Sequence, residues 1–165
     1  MSVSENHVVA DLMGACGLYC GACYHYRAGR PQGRHLLSER ARGGRPLTGY
    51  VCNGCRSERL YIHSGCQSCN IRACVDRRGL QHCGECEESP CDRLRSFQHD
   101  GRKHHLPVVE QLKAATELGM ARWLKVQARR WQCASCGTPY SWYEETCPLC
   151  GSALASYGRD EPTRS

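Results

Sequence analysis

Apolar side chains recur at helical spacing over one sustained stretch of the chain. Val108, Val109, Leu112 and Ala115 follow Pro107, which suits a first helical position, and they predict a helix over about 107–118. Gly119 stands where a left-handed cap is needed. Met120, Trp123, Leu124 and Val126 then resume the pattern and predict a second helix ending near Arg130. The stripe of this bent pair reads as core. Elsewhere the pattern is short or broken. Between Cys23 and Cys52 the segment YHYRAGRPQGRHLLSERARGGRPLTGYV is rich in Gly and Pro and reads mostly as loop, with a short helix over His35–Ala41. The segment IRACVDRR predicts one or two helical turns stopping at Gly79. Ser89 as N-cap and Pro90 as first residue predict a helix continuing DRLRSF, with Cys91 in its first turn. From Ser152 the tail SALASYGRDEPTRS lacks periodicity and is expected to fray. No apolar run approaches the roughly 18 residues of a membrane span, so no membrane association is expected.

Composition accounts for this scarcity of periodic segments. Leu, Val, Ile and Phe together supply 25 of 165 residues, about 15%. Below roughly 20%, a charged chain usually buries too little apolar surface to offset the entropy of ordering. Something else must hold the fold, and 15 cysteines point to disulfides or metal. Metal is favoured. Met1–Asp11 has neither a basic segment nor an apolar one of secretory type, so a cytoplasmic location is expected. The cysteine count is odd, and the cysteines sit two to four residues apart, a spacing suited to gripping one ion.

The formal charge of +6 suggests a nucleic-acid partner, but it counts every cysteine as a neutral thiol. A divalent ion held by four thiolates contributes about −2, so three such sites would cancel the excess. A local patch is then required, and the six arginines between Cys23 and Cys52, with Glu39 as their one acid, supply it. A solvated loop is the plainer reading of the same residues.

Cysteine spacing divides the chain into four zones: 1–100, cysteine-rich and multi-metal; 101–131, a helical linker without cysteine; 132–151, a compact four-cysteine module; and 152–165, a disordered tail. In WQCASCGTPYSWYEETCPLCG, Cys133 and Cys136 form one knuckle and Cys147 and Cys150 a second, each followed by glycine. Two facing knuckles make a closed tetrahedral site, predicted as a zinc ribbon with a hairpin in which Tyr140, Trp142 and Tyr143 cover the metal; rubredoxin-like iron is the alternative. In the first zone Cys66, Cys69 and Cys74 are spaced like Cys83, Cys86 and Cys91 seventeen residues later. Each unit reads as a knuckle leading into a helix. Cys52 and Cys55 form a pair, and Cys16, Cys20 and Cys23 a triad that can hold a cluster. Eleven cysteines leave one site short of a fourth thiolate, and His25, His63 and His82 are candidates to complete it or to pack beside it. These sulfurs suit zinc or a [4Fe–4S] cluster. The fold class expected is a small metal-stapled α+β protein: an irregular cysteine-knuckle domain with short helices, a two-helix linker and a C-terminal zinc-ribbon hairpin.

The order CGLYCGAC, CNGC, CQSCNIRAC and RRGLQHCGECEESPCDRL resembles the cysteine-rich bacterial and archaeal family catalogued as domain of unknown function 3795, over roughly residues 13–97. The later stretch resembles longer members that append helices and a zinc ribbon. The resemblance implies a cytoplasmic metal-binding protein and transfers no activity. The arginine-rich insertion before Cys52 departs from the pattern, since similar proteins often carry a more acidic helical segment there.

Three roles follow as expectations. The first is an adaptor or accessory subunit, with another protein as partner. The second is an iron–sulfur electron-transfer or redox subunit, and the third a nucleic-acid-binding zinc-ribbon protein. The sequence offers no convincing acid–base pair and no nucleophile with a placed base, so catalysis is not expected unless Cys16, Cys20 and Cys23 hold a cluster with one open iron. Lys103, His104 and His105 read as a solvated helix start.

Overall fold

The structure, a computed structural model, describes residues 12–47, 51–58 and 62–158. Its regular structure is helical: α1 (Tyr24–Ala28), α2 (Arg34–Arg42), α3 (Ser64–Gln67), α4 (Asn70–Arg77), α5 (Asp92–Gln98), α6 (Val108–Leu118) and α7 (Met120–Arg130), joined in part by 3-10 turns. None of these helices is long and apolar enough to cross a membrane.

The periodic stretch folds as its pattern requires. Helices α6 and α7 meet at Gly119, whose φ is +79°. Val108, Leu112 and Ala115 are buried from α6, and Trp123 and Leu124 from α7. The stripe on α7 is shifted by one position from expectation: Val126 faces solvent and Gln127 is buried. A hydrogen-bond hub explains the exchange. The Oε1 of Gln111 accepts from Trp123 Nε1 at 3.0 Å and from Gln127 Nε2 at 2.7 Å, so the two amides clamp the helices together.

Around this pair lies a small core of Leu12, Met13, Ile71, Val75, Leu94 and Tyr26, with seven cysteine side chains packed against its rim. The loop carrying Cys16 and Cys20 rests directly on α6. A Cβ on Gly17 would lie 2.7 Å from Leu112 Cγ and 2.8 Å from the Val108 carbonyl, so only glycine permits this approach, and its φ of +95° demands glycine as well. The core thus draws on residues both before and after position 100.

Several expectations need correction. The 24–50 segment is largely helical up to Arg42, because its glycines and Pro31 fall at helix ends, with Gly29 and Gly43 as C-caps and Pro31 opening a 3-10 turn. Residues 48–50 of that segment lie outside the described residues. The Ser89–Pro90 bond is cis, and Cys91 is itself the N-cap of α5 rather than a residue of its first turn. In the first cysteine repeat the helix begins after Cys69, its second cysteine, whereas in the other it begins after Cys91, its third; equal spacing does not give equal structure. The tail does not fray at Ser152. Leu154 and Tyr157 pack on Trp131 and Trp142, and the Tyr157 N–H donates to the Trp142 carbonyl at 2.7 Å. The remaining tail, 159–165, lies outside the described residues, as does the Met1–Asp11 segment.

The largest correction concerns fold class. Among the described residues there is no strand, only isolated bridges, so the α+β class and the ribbon hairpin are not supported. Each knuckle closes on itself, through Gln132–Pro139 in one and Thr146–Ala153 in the other. Pro139 has no N–H to extend a ladder. The aromatic residues between the knuckles are taken up elsewhere: the Trp142 N–H donates to the Ala22 carbonyl at 3.1 Å, and Tyr140, Trp142 and Trp131 form a second core around Ala22. His104 completes this docking, with its ring stacked on Trp142 at 4.1 Å. The Tyr143 hydroxyl accepts from the His104 backbone N–H and shares a second hydrogen bond with His104 Nδ1 at 2.6 Å.

Two outcomes follow. Gln111→Leu strips the acceptor from the buried Trp123 N–H and should cost about 1–3 kcal/mol, read as a lower denaturation midpoint at constant m-value; an unchanged midpoint would show that the hub carries no stability. Burial, reinforced by His105 and Arg102, holds the His104 pKa down at about 3. The unfolded chain takes up this proton near pH 6.5, so the contribution is complete above pH 6.5 and declines as pH falls toward about 3, by about 1.4 kcal/mol per pH unit. Chemical denaturation of the wild type and of His104→Phe between pH 6.5 and 5 should show the shallower slope in the variant.

Candidate metal centres

The C-terminal centre is assembled from two near-identical turns. In Cys133–Thr138 the Cys133 N–H donates to the Thr138 carbonyl at 2.9 Å and the Gly137 N–H to the Cys133 carbonyl at 2.8 Å; in Cys147–Ser152 the equivalent bonds are 2.8 and 3.0 Å. Gly137 and Gly151 share a φ of +74°, the left-handed return that lets each turn close. The four sulfur atoms all lie within 4.8 Å of one another. Cys133 is 3.6 Å from Cys150, and Cys136 is 3.6 Å from Cys147, across the two knuckles. Zinc–sulfur bonds of about 2.3 Å place tetrahedral sulfurs about 3.8 Å apart, so these residues fit a single ion. One cysteine of each knuckle is buried and one exposed.

The spacing of the cysteines did not reveal two further participants. Thr138 Oγ1 lies 3.1 Å from Cys136 Sγ, and Ser152 Oγ lies 3.3 Å from Cys150 Sγ. The Ser152 hydroxyl and then its backbone N–H pull the Cys150 thiol down to about 6, and Thr138 lowers Cys136 in the same way. Burial raises Cys147 instead. Their signal in the sequence is a hydroxyl residue after each Cys-Gly: CGT and CGS.

The eleven N-terminal cysteines are differently arranged. None of them belongs to a group of three or more ligand atoms packed within 4.8 Å; among the described residues that closeness is found at the C-terminal site. They nevertheless face one another in sets. Burial pushes the Cys16 thiol well up, and the charges of Cys55, Cys69 and Cys83 add to it. Cys20 is raised by burial and then by Cys55, and Cys55 by burial with Cys69 contributing. Burial raises Cys23 to about 12 and Cys66 to about 11; Cys52 adds to both shifts. Burial, then the charges of Cys91, Cys74 and Cys86, push Cys83 to about 12. Cys16 thus feels Cys55, Cys69 and Cys83, Cys23 and Cys66 both feel Cys52, and Cys83 feels Cys91, Cys74 and Cys86. The influence runs on between these neighbourhoods: Cys69 acts on Cys16, Cys66 and Cys83, and Cys23 on Cys20. Burial and mutual repulsion hold the raised thiols toward the neutral form, and an entering cation would displace their protons.

The three candidate histidines hold the cysteine turns in place. His63 Nδ1 accepts the Gly65 N–H at 3.2 Å at the start of the turn bearing Cys66, and His82 Nδ1 accepts the Gly84 N–H at 3.1 Å at the start of the turn bearing Cys83. His25 stacks on His63 with ring centroids 3.5 Å apart. His105 is no solvated helix start: it is buried, stacked on Phe97, and its Nδ1–H donates to Asp100 at 2.9 Å.

With this geometry in view, comparison with known proteins is specific on one point. Residues 12–96 match the family model described as Protein of unknown function (DUF3795), and that stretch contains all eleven N-terminal cysteines. No curated protein and no solved structure matches the chain. The matched stretch is just over half of the sequence, and the chain therefore belongs to this cysteine-rich family of proteins of unknown function.

Proposed function

We propose that the protein is a metal-stapled adaptor or accessory subunit, and that Cys133, Cys136, Cys147 and Cys150 hold a structural zinc ion. The observation that carries this reading is the C-terminal quartet, four sulfurs at single-ion separation in two self-closed turns. A site closed by four thiolates has no position left for substrate, which favours a structural role. Zinc would fix both knuckles and, through Trp142 and Tyr157, the surface they build over Ala22.

The carboxylate–histidine pairs fit the same reading. His35–Glu144 and His105–Asp100 tie elements together, and neither lines the cavity formed by Cys74, Cys83, Cys86 and Cys91. The arginine segment gives little support to a nucleic-acid partner: Arg27 is buried, and the Arg30 guanidinium lies over the Tyr26 ring at 4.2 Å. For the protein partner of this reading, Leu149, 73% exposed in the second knuckle, is the residue to test.

Protein purified without oxygen should lose one zinc per chain in the double variant Cys136→Ser, Cys150→Ser, and its thermal midpoint should fall by about 10 °C or more. Unchanged zinc content, or iron in that site, overturns the zinc assignment. Ser152→Ala should keep the fold and weaken zinc affinity about tenfold or more in competition with a chromophoric chelator. For the adaptor role, a protein that co-purifies from the cells of origin should be lost from Leu149→Ser; a wild-type chain that elutes alone refutes that role.

A further inference from the structure

The C-terminal quartet and the set formed by Cys74, Cys83, Cys86 and Cys91 differ in one measurable respect. The first closes on a point. The second is spread around a space: these four cysteines line a single cavity of about 520 Å³ together with Val75, Leu94, Glu88 and Asp92, and no three of their sulfurs lie within 4.8 Å of one another. Four sulfurs around a lone zinc ion stand about 3.8 Å apart, and this set is not gathered to that spacing. An occupant with volume of its own, offering metal at several edges, suits such a set.

We infer that Cys74, Cys83, Cys86 and Cys91 are the ligands of a four-iron, four-sulfide cluster seated in this cavity. A cube of alternating iron and sulfide offers one iron to each of four thiolates and holds them apart by its own width. The chain supplies the four from separate elements. Cys74 comes from within α4, Cys83 and Cys86 from either end of one 3-10 turn, and Cys91 from the N-cap of α5. Apolar residues behind the cavity exclude water from one side, while its mouth remains open to the surface.

Arg78 adds a cationic contact to one of these cysteines. Its Nη1 donates to Cys86 Sγ at 3.3 Å while Nη2 is held by Glu88 at 2.9 Å. A guanidinium directed at a ligand sulfur offsets the net negative charge of a four-thiolate cluster and raises its reduction potential. Arg77 and Arg93 also line the cavity.

The experiment is anaerobic reconstitution of the full chain with ferrous iron and sulfide, followed by iron, acid-labile sulfide and zinc analysis and electron paramagnetic resonance after dithionite reduction. The double variant Cys86→Ser, Cys91→Ser should lose roughly four iron and four sulfide relative to wild type, with C-terminal zinc unchanged. Colourless wild-type protein without sulfide, or a double variant with undiminished iron and sulfide, overturns the inference. Should that variant fail to fold, Arg78→Gln decides: Arg78 is exposed, so the fold should persist, and the potential should fall with an altered resonance signal. An Arg78→Gln protein whose potential and spectrum match the wild type refutes the assignment.

Discussion

The constraint on which the structure depends is a core too small to order the chain alone, with sulfur packed around its rim. Large apolar side chains are too few for this chain to bury a core of ordinary size, and those present divide among small clusters, the main one against α6 and α7. Around that cluster, sulfur occupies positions that Leu or Ile would take in a richer sequence. Cysteine suits the task twice over. Its side chain is small and apolar enough to pack when neutral, and it ionises when a cation arrives. The thiols raised by burial and by one another meet the first condition, and an entering metal ion would bring the second.

The same constraint explains why distant parts of the chain share single loops. Ala22 sits between Cys20 and Cys23, and its carbonyl receives the Trp142 N–H of the C-terminal module. Ordering the 16–23 loop around its sulfurs therefore also fixes the platform on which the knuckles dock. His104 and Tyr143 secure the other side of that platform, with an imidazole that stacks on Trp142 and hydrogen-bonds the tyrosine hydroxyl. The docking is largely aromatic, with the His35–Glu144 pair beside it.

Polar residues that looked surplus in the sequence are put to similar use. His63 and His82 cap the turns that present Cys66 and Cys83. Thr138 and Ser152 orient the two exposed sulfurs of the last site. Gln111 joins α6 to α7 where two aliphatic chains would have sufficed in a larger core. In each case a hydrogen bond settles a geometry that packing alone is too sparse to settle.

By itself the sequence determined the local terms. The helices on either side of Gly119, the stop at Gly79 and the two facing knuckles follow from periodicity, from glycine and from Cys-x-x-Cys spacing, all of which act within one or two turns of chain. Only the tertiary structure decided which cysteines meet. Cysteines adjacent in sequence meet different neighbours because each sulfur points where its own turn directs it, and rather more than one helical turn separates Cys69, the N-cap of α4, from Cys74 within it. The absence of a ribbon hairpin was settled at the same level: residues 140–143 had a buried carbonyl at Ala22 and aromatic partners within reach, and burying Trp142 there outweighed the few backbone bonds that a two-stranded ladder broken by Pro139 could offer.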